Sequence, residues 1–421
     1  MKTYDITETF PTPIVADFEA FLTGVEAHGA YLTKAKLTLD RATLYALDAQ
    51  MRTFRTDTHP RTDQEYYPLL DLFQRICMAA RLHIAQPVKG NLRMVPTEAA
   101  TLFRQLSLCE KYVALLEALW VDVDWSEITR SGGYGILSEH DFLLEFLVQL
   151  PAGERVNLRA AQRRGIYLDP DQHAALNVLS FFGLLACEGP SSETLQRLGY
   201  GKGRIVLEAV TMNEFGLPLL KALADQRPRY LWNMPSRREF GGADFPGQAW
   251  EEGREGLTEP EPFHKALLPL FPAGALTRGL PRSERQTKKG TFVFKVTLGG
   301  GLWRTIAMSG EDTLDELHLA IQKAFRFDND HLFAFFMDGK PYSKTRYNDS
   351  RGQEPPFADD AVIGRLDLWL RQRFLYLFDF GDEWRFDVEL VEIRDGPHKG
   401  RPKVLEAKGK NPKQYRSEDD E

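Results

Sequence analysis

The sequence predicts a multidomain chain, a mainly α N-terminal region followed by a C-terminal α+β domain, on three observations. Apolar residues recur with helical period from about Phe18 to Leu223. After Gly290 the period changes to two. Between the two regimes lies a stretch of prolines, glycines and mixed charge without period. With 421 residues, the chain exceeds the size at which a single hydrophobic core keeps growing, so two or three domains are expected.

In the helical region, Leu69, Leu70, Phe73, Ile76, Cys77 and Ala80 share one helix face, with Asp71 and Arg75 off it. Leu115, Leu116 and Leu119 continue the pattern after Tyr112. Phe142, Leu143, Phe146, Leu147 and Leu150 repeat it until Pro151 stops the helix. A degenerate internal repeat lies within this region. Its first copy runs from Ala80–Ala85 through Lys89-Gly90 to Leu92–Val95 and the helix after Thr97. Its second runs from Phe182–Cys187 through Lys202-Gly203 to Ile205–Leu207 and a helix to Leu223, with Thr211 and Glu214 spaced as a capping box. Each copy reads helix, strand, Lys-Gly turn, strand, helix, which is a winged-helix-like order. The candidate recognition helix of the second copy, Pro218–Ala224, carries only Lys221 among its leucines, so a packing module is favoured over a DNA reader.

Asn233–Gly256 reads as an exposed loop or tether, and Phe263–Phe271 as a short docking segment before Pro272. From Arg278 to Gly290 five basic residues stand against one acid, the composition of a solvated basic linker. The expected partition is a helical domain with the first winged-helix-like unit (1–130), a second such unit (131–232), tether and basic linker (233–288), the α+β domain (289–407) and a charged tail (408–421).

In the α+β domain Phe292, Phe294 and Val296 alternate with Val293, Lys295 and Thr297, and Gly299-Gly300-Gly301 turns the chain into Trp303–Met308. Thr313 and Glu316 form a capping box before a helix that buries Leu314, Leu317, Ile321, Ala324 and Phe325. His331–Met337 reads as a strand and Lys340–Asp360 as a long loop. Phe374, Tyr376, Phe378 and Phe380 then share a strand face, and a Gly381-Asp382 turn leads into a return strand carrying Trp384, Phe386, Val388 and Leu390. One sheet covered on one face by one helix gives a β-grasp-like domain.

Several of these residues carry a resemblance. Leu302-Trp303-Arg304, the run Asp315-Glu316-Leu317-His318 with Ile321-Gln322 and Ala324-Phe325, then His331-Leu332 with Phe335, and Tyr376 with Phe378-Asp379-Phe380-Gly381-Asp382 and Trp384 occur in one order, closed by Pro402–Glu406. Over roughly residues 289–407 this resembles the Ri-plasmid third-open-reading-frame family, with Phe378 where tyrosine is usual. The resemblance implies association with plasmids and mobile elements, and some members carry a transposon-resolvase label. A serine resolvase needs an activated serine with clustered arginines near the start of a catalytic domain, and the sequence contains no such constellation.

Composition narrows the function classes. Hydrophobic residues at 43% and charged residues at 27% describe a folded chain, and the net charge of −7 argues against a basic coat while leaving room for a local basic patch. Three widely spaced cysteines, Cys77, Cys109 and Cys187, form no Cys-x-x-Cys pair and read as small buried hydrophobes in a reducing compartment. The start lacks a signal-peptide pattern and no run of about 18 apolar residues exists; the expected location is cytoplasmic. Asp379-Phe380-Gly381 lacks the rest of a kinase, and Gly199–Arg204 has the wrong spacing for a phosphate loop. No nucleotide cofactor is therefore expected.

His318, His331, Asp379, Asp382 and Glu383 form the candidate metal or ligand site, set against a reading in which they are edge and turn residues. Trp303, Arg304, Tyr376, Gly381 and Trp384 are the accompanying motif residues. The aromatic strand face is weighed as a stacking platform and as a face covered by the Thr313–Phe325 helix, the latter favoured. The expected function is a non-catalytic binding or regulatory module whose partner is a protein or nucleic acid, with no membrane and no cofactor. The alternative is a metal-dependent phosphodiesterase or nuclease using the histidine and aspartate cluster.

Overall fold

A computed structural model describes residues 2–415 apart from 34–36, 90, 126–127, 129–142, 164–169, 191–204, 240–245, 248–260, 282–287, 344, 353, 397 and 399. Both Lys-Gly turns, the Gly199–Arg204 segment and much of the tether and basic linker thus fall wholly or partly outside the described residues. The chain divides into two compact units, one of Met1–Arg237 and Gly242–Arg282, the other of Arg238–Gly241 and Ser283–Glu421.

The first unit carries the same element order twice. Helix α1 (Ile14–His28), strand β1 (Tyr31–Leu32), helices α2 (Arg41–Asp48) and α3 (Pro68–Ala79), strands β2 (His83–Val88) and β3 (Asn91–Pro96), and helix α4 (Glu98–Arg104) form the first pass. Helix α5 (Leu108–Glu117) follows. The second pass comprises a helix over 143–148, β4 (Arg155–Asn157), α6 (Leu158–Arg163), α7 (Pro170–Phe181), β5 (Leu185–Glu188), β6 (Ala209–Met212) and α8 (Gly216–Gln226). Each pass closes a three-stranded antiparallel sheet, β1-β3-β2 and β4-β6-β5, with the last strand in the centre.

Sequence explains the local choices. Pro68 sits at the first position of α3, where its missing N–H costs nothing, and Leu69, Leu70, Leu72, Phe73, Ile76 and Cys77 are buried from there on. Thr97 caps α4 by accepting from Ala99 N. Ser107 and Glu110 form a capping box at α5, which sequence inspection passed over. The box expected at Thr211 and Glu214 does not form: Thr211 lies in β6, so α8 starts at Gly216 without a side-chain cap. Glu214 instead pairs with Lys2 at 2.6 Å. Helices α3 and α7 pack against each other. Tyr112 of α5 ties the passes together, its hydroxyl donating to Phe182 O at 2.8 Å. Phe263–Leu270 forms a 3-10 helix against α8, burying Phe263, Ala266, Leu267 and Leu270. Arg278 beyond it is held by Glu110 at 3.0 Å.

The second unit is one seven-stranded sheet, ordered β10-β9-β11-β12-β7-β8-β13, with every ladder antiparallel. Its strands are β7 (Gly290–Thr297), β8 (Trp303–Ser309), β9 (Phe333–Phe336), β10 (Arg346–Asn348), β11 (Arg373–Phe378), β12 (Trp384–Asp395) and β13 (Lys403–Lys408). Helix α9 (Leu314–Phe325) lies on one face, its Thr313–Glu316 capping box formed and Leu314, Leu317, His318, Ile321, Gln322 and Phe325 buried. The core between them holds Phe292, Phe294, Ile306, Phe374, Tyr376, Phe378 and Phe386. The favoured reading of the aromatic face is therefore the observed one for these residues.

Four details differ from expectation. The Lys340–Asp360 excursion contains β10, and Pro402–Glu406 contributes to β13, the outer edge strand. The hairpin loop spans Asp379–Glu383 rather than Gly381-Asp382 alone, because Phe378 pairs with Trp384. Asp379 is left-handed at φ 59°, which breaks the alternation and leaves Phe380 41% exposed instead of on the core face.

Gly216 offers a test of the close packing in the first unit. A Cβ there would lie 1.8 Å from Leu184 O, so α8 must shift off the backbone that it abuts. Gly216→Ala is expected to cost about 1–3 kcal/mol, read as a lower urea midpoint; an unchanged midpoint would refute that packing.

Candidate functional site

The motif residues shared by α9 and β11 build a buried relay. Tyr376 hydroxyl lies 2.6 Å from His318 Nδ1 and accepts from Gln322 Nε2 at 2.7 Å. The hydroxyl oxygen has two lone pairs, so it meets Nδ1 in either imidazole tautomer while accepting from the amide. His318 is fully buried, stacks on Phe333 at 3.8 Å between centroids, and is pushed down to about 4, chiefly by burial. The relay fastens helix to sheet with neutral groups.

The remaining candidate residues lie at the hairpin end. His331, half-exposed, places Nε2 3.5 Å from Asp379 Oδ2. Asp379 Oδ1 accepts from Gly381 N at 2.9 Å and Asp382 N at 3.3 Å, so this carboxylate shapes the turn. Glu383 is taken by Arg385 and by the Tyr342 hydroxyl. His331 and Asp379 are thus brought together, while His318 faces Tyr376 inside the core. Among the described residues no group of three or more His, Cys, Asp or Glu is placed to hold a metal ion. Trp384 packs edge-on against Phe327 at 4.9 Å, and Lys295 lies over the Trp303 ring.

Arg304 leads to a different site. Arg304 is only 5% exposed, and its guanidinium donates to Ala324 O at 3.3 Å, Trp303 O and Lys408 O at 2.7 Å, Gly409 O at 3.2 Å and Asn411 Oδ1. It also lies over the Phe325 ring. Every acceptor is neutral, so the charge, which arginine keeps even when buried, meets no carboxylate. Around it runs a groove of about 690 Å³ between α9 and β13. Ile306, Ala320, Ala324, Val404 and Ala407 give an apolar wall of mostly small side chains, Lys323, Arg326 and Lys410 carry exposed charge along it, and Lys403, paired with Ala307, stands at its rim. The lining contains five cations and no acid. A bulge at Leu405, where the register shifts between Val404 and Glu406, sets Val404 and Ala407 on the groove side together. Such a site suits a multiply charged anion.

Sequence reasoning named Arg304 but not the groove, because Lys323, Arg326, Lys403 and Lys410 converge only once β13 has added to the sheet edge. A second arrangement also escaped it. Cys77 Sγ lies 3.2 Å from His83 Nδ1, and His83 Nε2 lies 3.4 Å from Glu26 Oε1, the order of a nucleophile, base and orienting acid. Burial reverses the chemistry: it raises the thiol far above the ordinary range and pushes His83 down to about 4. Both groups are neutral and fully buried, so the pair serves packing.

Residues 291–415 match the family of plasmid pRiA4b ORF-3-like proteins. This pRiA4b-like segment lies within the second unit and includes every residue of the relay and of the groove lining. No curated protein matches the chain. A crystal structure of a protein of unknown function from Methanosarcina mazei Go1 is similar at 25% identity, covering 30% of this chain and 72% of that one, with a TM-score of 0.25. No helix among the described residues is long and apolar enough to cross a membrane.

The relay makes a pH prediction. With an ordinary value of 6.5 when unfolded and about 4 when folded, His318 binds more proton in the unfolded chain between those limits. Its contribution is therefore intact above pH 6.5 and is lost as pH falls toward 4. Urea midpoints of His318→Gln should lose part of the wild-type slope in this window, and an identical slope would refute the burial. Tyr376→Phe, which strands His318 Nδ1 and Gln322, should cost about 1–3 kcal/mol. In thiol labelling of the native protein, Cys187 should react before Cys77, since Cys77 is fully buried and Cys187 half-buried; fast labelling of Cys77 would reopen the nucleophile reading.

Proposed function

We propose that the chain is a non-catalytic binding protein whose second unit captures an anionic partner in the groove beside Arg304. The observation that carries this reading is the lining itself: five cations, no acid, and a buried arginine with neutral acceptors only. Against a net charge of −7, so concentrated a positive site is a local departure from the rest of the molecule. The plasmid open-reading-frame description of the matched family supports placing the protein among those carried by mobile elements. A cytoplasmic setting accords with that reading.

The first unit is, in this proposal, a pair of winged-helix-like folds. Support comes from the repeated order of helix, short strand, two helices and hairpin, with the last strand central in each sheet. In that order the helix before the hairpin is the reader, which makes α3 and α7, not Pro218–Ala224, the candidates. These two helices pack on each other, and no described residue of either is exposed. The unit is then a scaffold, with binding assigned to the second unit. There α9 lies across one face of an antiparallel sheet, a β-grasp-like arrangement in that limited sense.

Heparin chromatography tests the groove. A protein of net charge −7 is expected to pass through, whereas the groove predicts retention and elution by salt. Lys403→Glu with Lys410→Glu should elute at clearly lower salt than the wild type. Equal elution, or no retention of the wild type, would refute the reading.

A further inference from the structure

Resting on the reading of the groove as an anion site, we propose that its ligand is single-stranded nucleic acid, held by the phosphodiester backbone without regard to sequence. Three features of the groove lead there. Its cations are spread over three elements, Arg304 on β8, Lys323 and Arg326 at the end of α9, and Lys403 and Lys410 on and after β13. One small anion cannot meet all of these, whereas a polymer with a charge at every repeat can. The basic character also continues along the chain: from Arg401 to Lys413, Arg401, Lys403, Lys408, Lys410 and Lys413 stand against the single acid Glu406.

Size and lining then choose among polyanions. A volume of about 690 Å³ is that of a drug-sized ligand site, which suits a strand entering one or two nucleotides at a time and excludes a duplex about 20 Å across. The wall of Ile306, Ala320, Ala324, Val404 and Ala407 offers sugar and base edges an apolar surface. No aromatic side chain lines the groove, so bases are not stacked and not read. Lys323, Arg326, Lys403 and Lys410 have no ion pair among the described residues, so binding need not first break one. Arg304 already spends its donors on backbone carbonyls and Asn411, and acts as a fixed charge beneath the strand.

The test uses the full chain and fluorescence anisotropy with three labelled probes: a 15-residue thymidylate strand, a duplex of the same length, and a polyglutamate of matched charge. Four groove contacts predict a slope of about −3 in log K against log salt for the single strand. The strand should bind at least tenfold more tightly than either other probe. Lys403→Glu with Lys410→Glu, and separately Lys323→Glu with Arg326→Glu, should each weaken it at least tenfold and flatten the slope, while Lys221→Glu in the first unit should not. Circular dichroism melts confirm that each variant folds. Duplex binding as tight as the strand would overturn the single-strand assignment. Polyglutamate binding as tightly, with the same response to the groove variants, would show an acidic protein as ligand and overturn this inference while the anion-site reading stands. Groove variants that change the binding of no probe would overturn both.

Discussion

Arg304 has five N–H donors in a rigid fork, and the second unit is arranged around where they go. One reaches the end of α9 at Ala324 O, others reach β8 and the close of β13, and the last hold Gly409 and Asn411. An ammonium group has neither the number of donors nor the planar spread to bridge four chain segments at once. The guanidinium thereby pins an edge strand whose six residues are all exposed and which would otherwise be held by one ladder to β8. Pinning β13 also forms one wall of the groove, whose apolar lining is mostly small side chains. The cost is a buried charge without a counter-ion, and the surrounding lysines and arginine do nothing to relieve it. Retaining so much like charge in one place is unfavourable for the empty protein, and the proposed anionic ligand would remove that penalty.

The two units handle their charged and apolar surface in opposite ways. In the first, the repeat brings α3 and α7 together, and no described residue of either is exposed. Charge there is spent internally. Glu110 caps α5, then takes Arg278 and Thr277, and these partners hold its carboxyl down to about 2 although it is almost fully buried. Lys111 is bound by Glu19 at 2.6 Å in the same way. In the second unit Lys323, Arg326, Lys403 and Lys410 are left to the groove. Elsewhere in the second unit charges are also paired, as Arg351 is with Asp349 and Arg373 with Glu389, so the unpaired cations beside Arg304 are what the proposed binding role rests on.

Local signals in the sequence carried a long way. The alternation of Phe292, Phe294 and Val296 became β7, the capping box at Thr313 and Glu316 opened α9, and the period of Leu69 to Cys77 became the buried face of α3. These features are written within one or two turns of chain. What escaped depends on distant pairing. β13 has no clean alternation because its bulge shifts the register, and Lys408 and Lys410 read as charged tail. Phe380 followed the pattern of its strand until the left-handed backbone at Asp379 turned it outward. Cys77 and His83 are only six residues apart, but their contact needs the turn between α3 and β2, and its meaning needs the burial that makes both neutral.

The candidate residues divide along the same line. A histidine on the apolar side of a helix and a tyrosine in a strand of aromatics are core residues by position, and His318 and Tyr376 are joined there. An aspartate before a glycine is a turn former, and Asp379 accepts from the turn amides. Motif residues that recur in one order need not mark chemistry; here they mark the joints that hold a helix to a sheet. Apart from Arg304, the cations of the proposed binding groove lie outside the motif, at positions set by those joints. Lys323 and Arg326 are placed by the end of α9, and α9 is placed by the relay at His318, Gln322 and Tyr376. Loosening the relay therefore shifts one side of the groove without touching any residue in its lining.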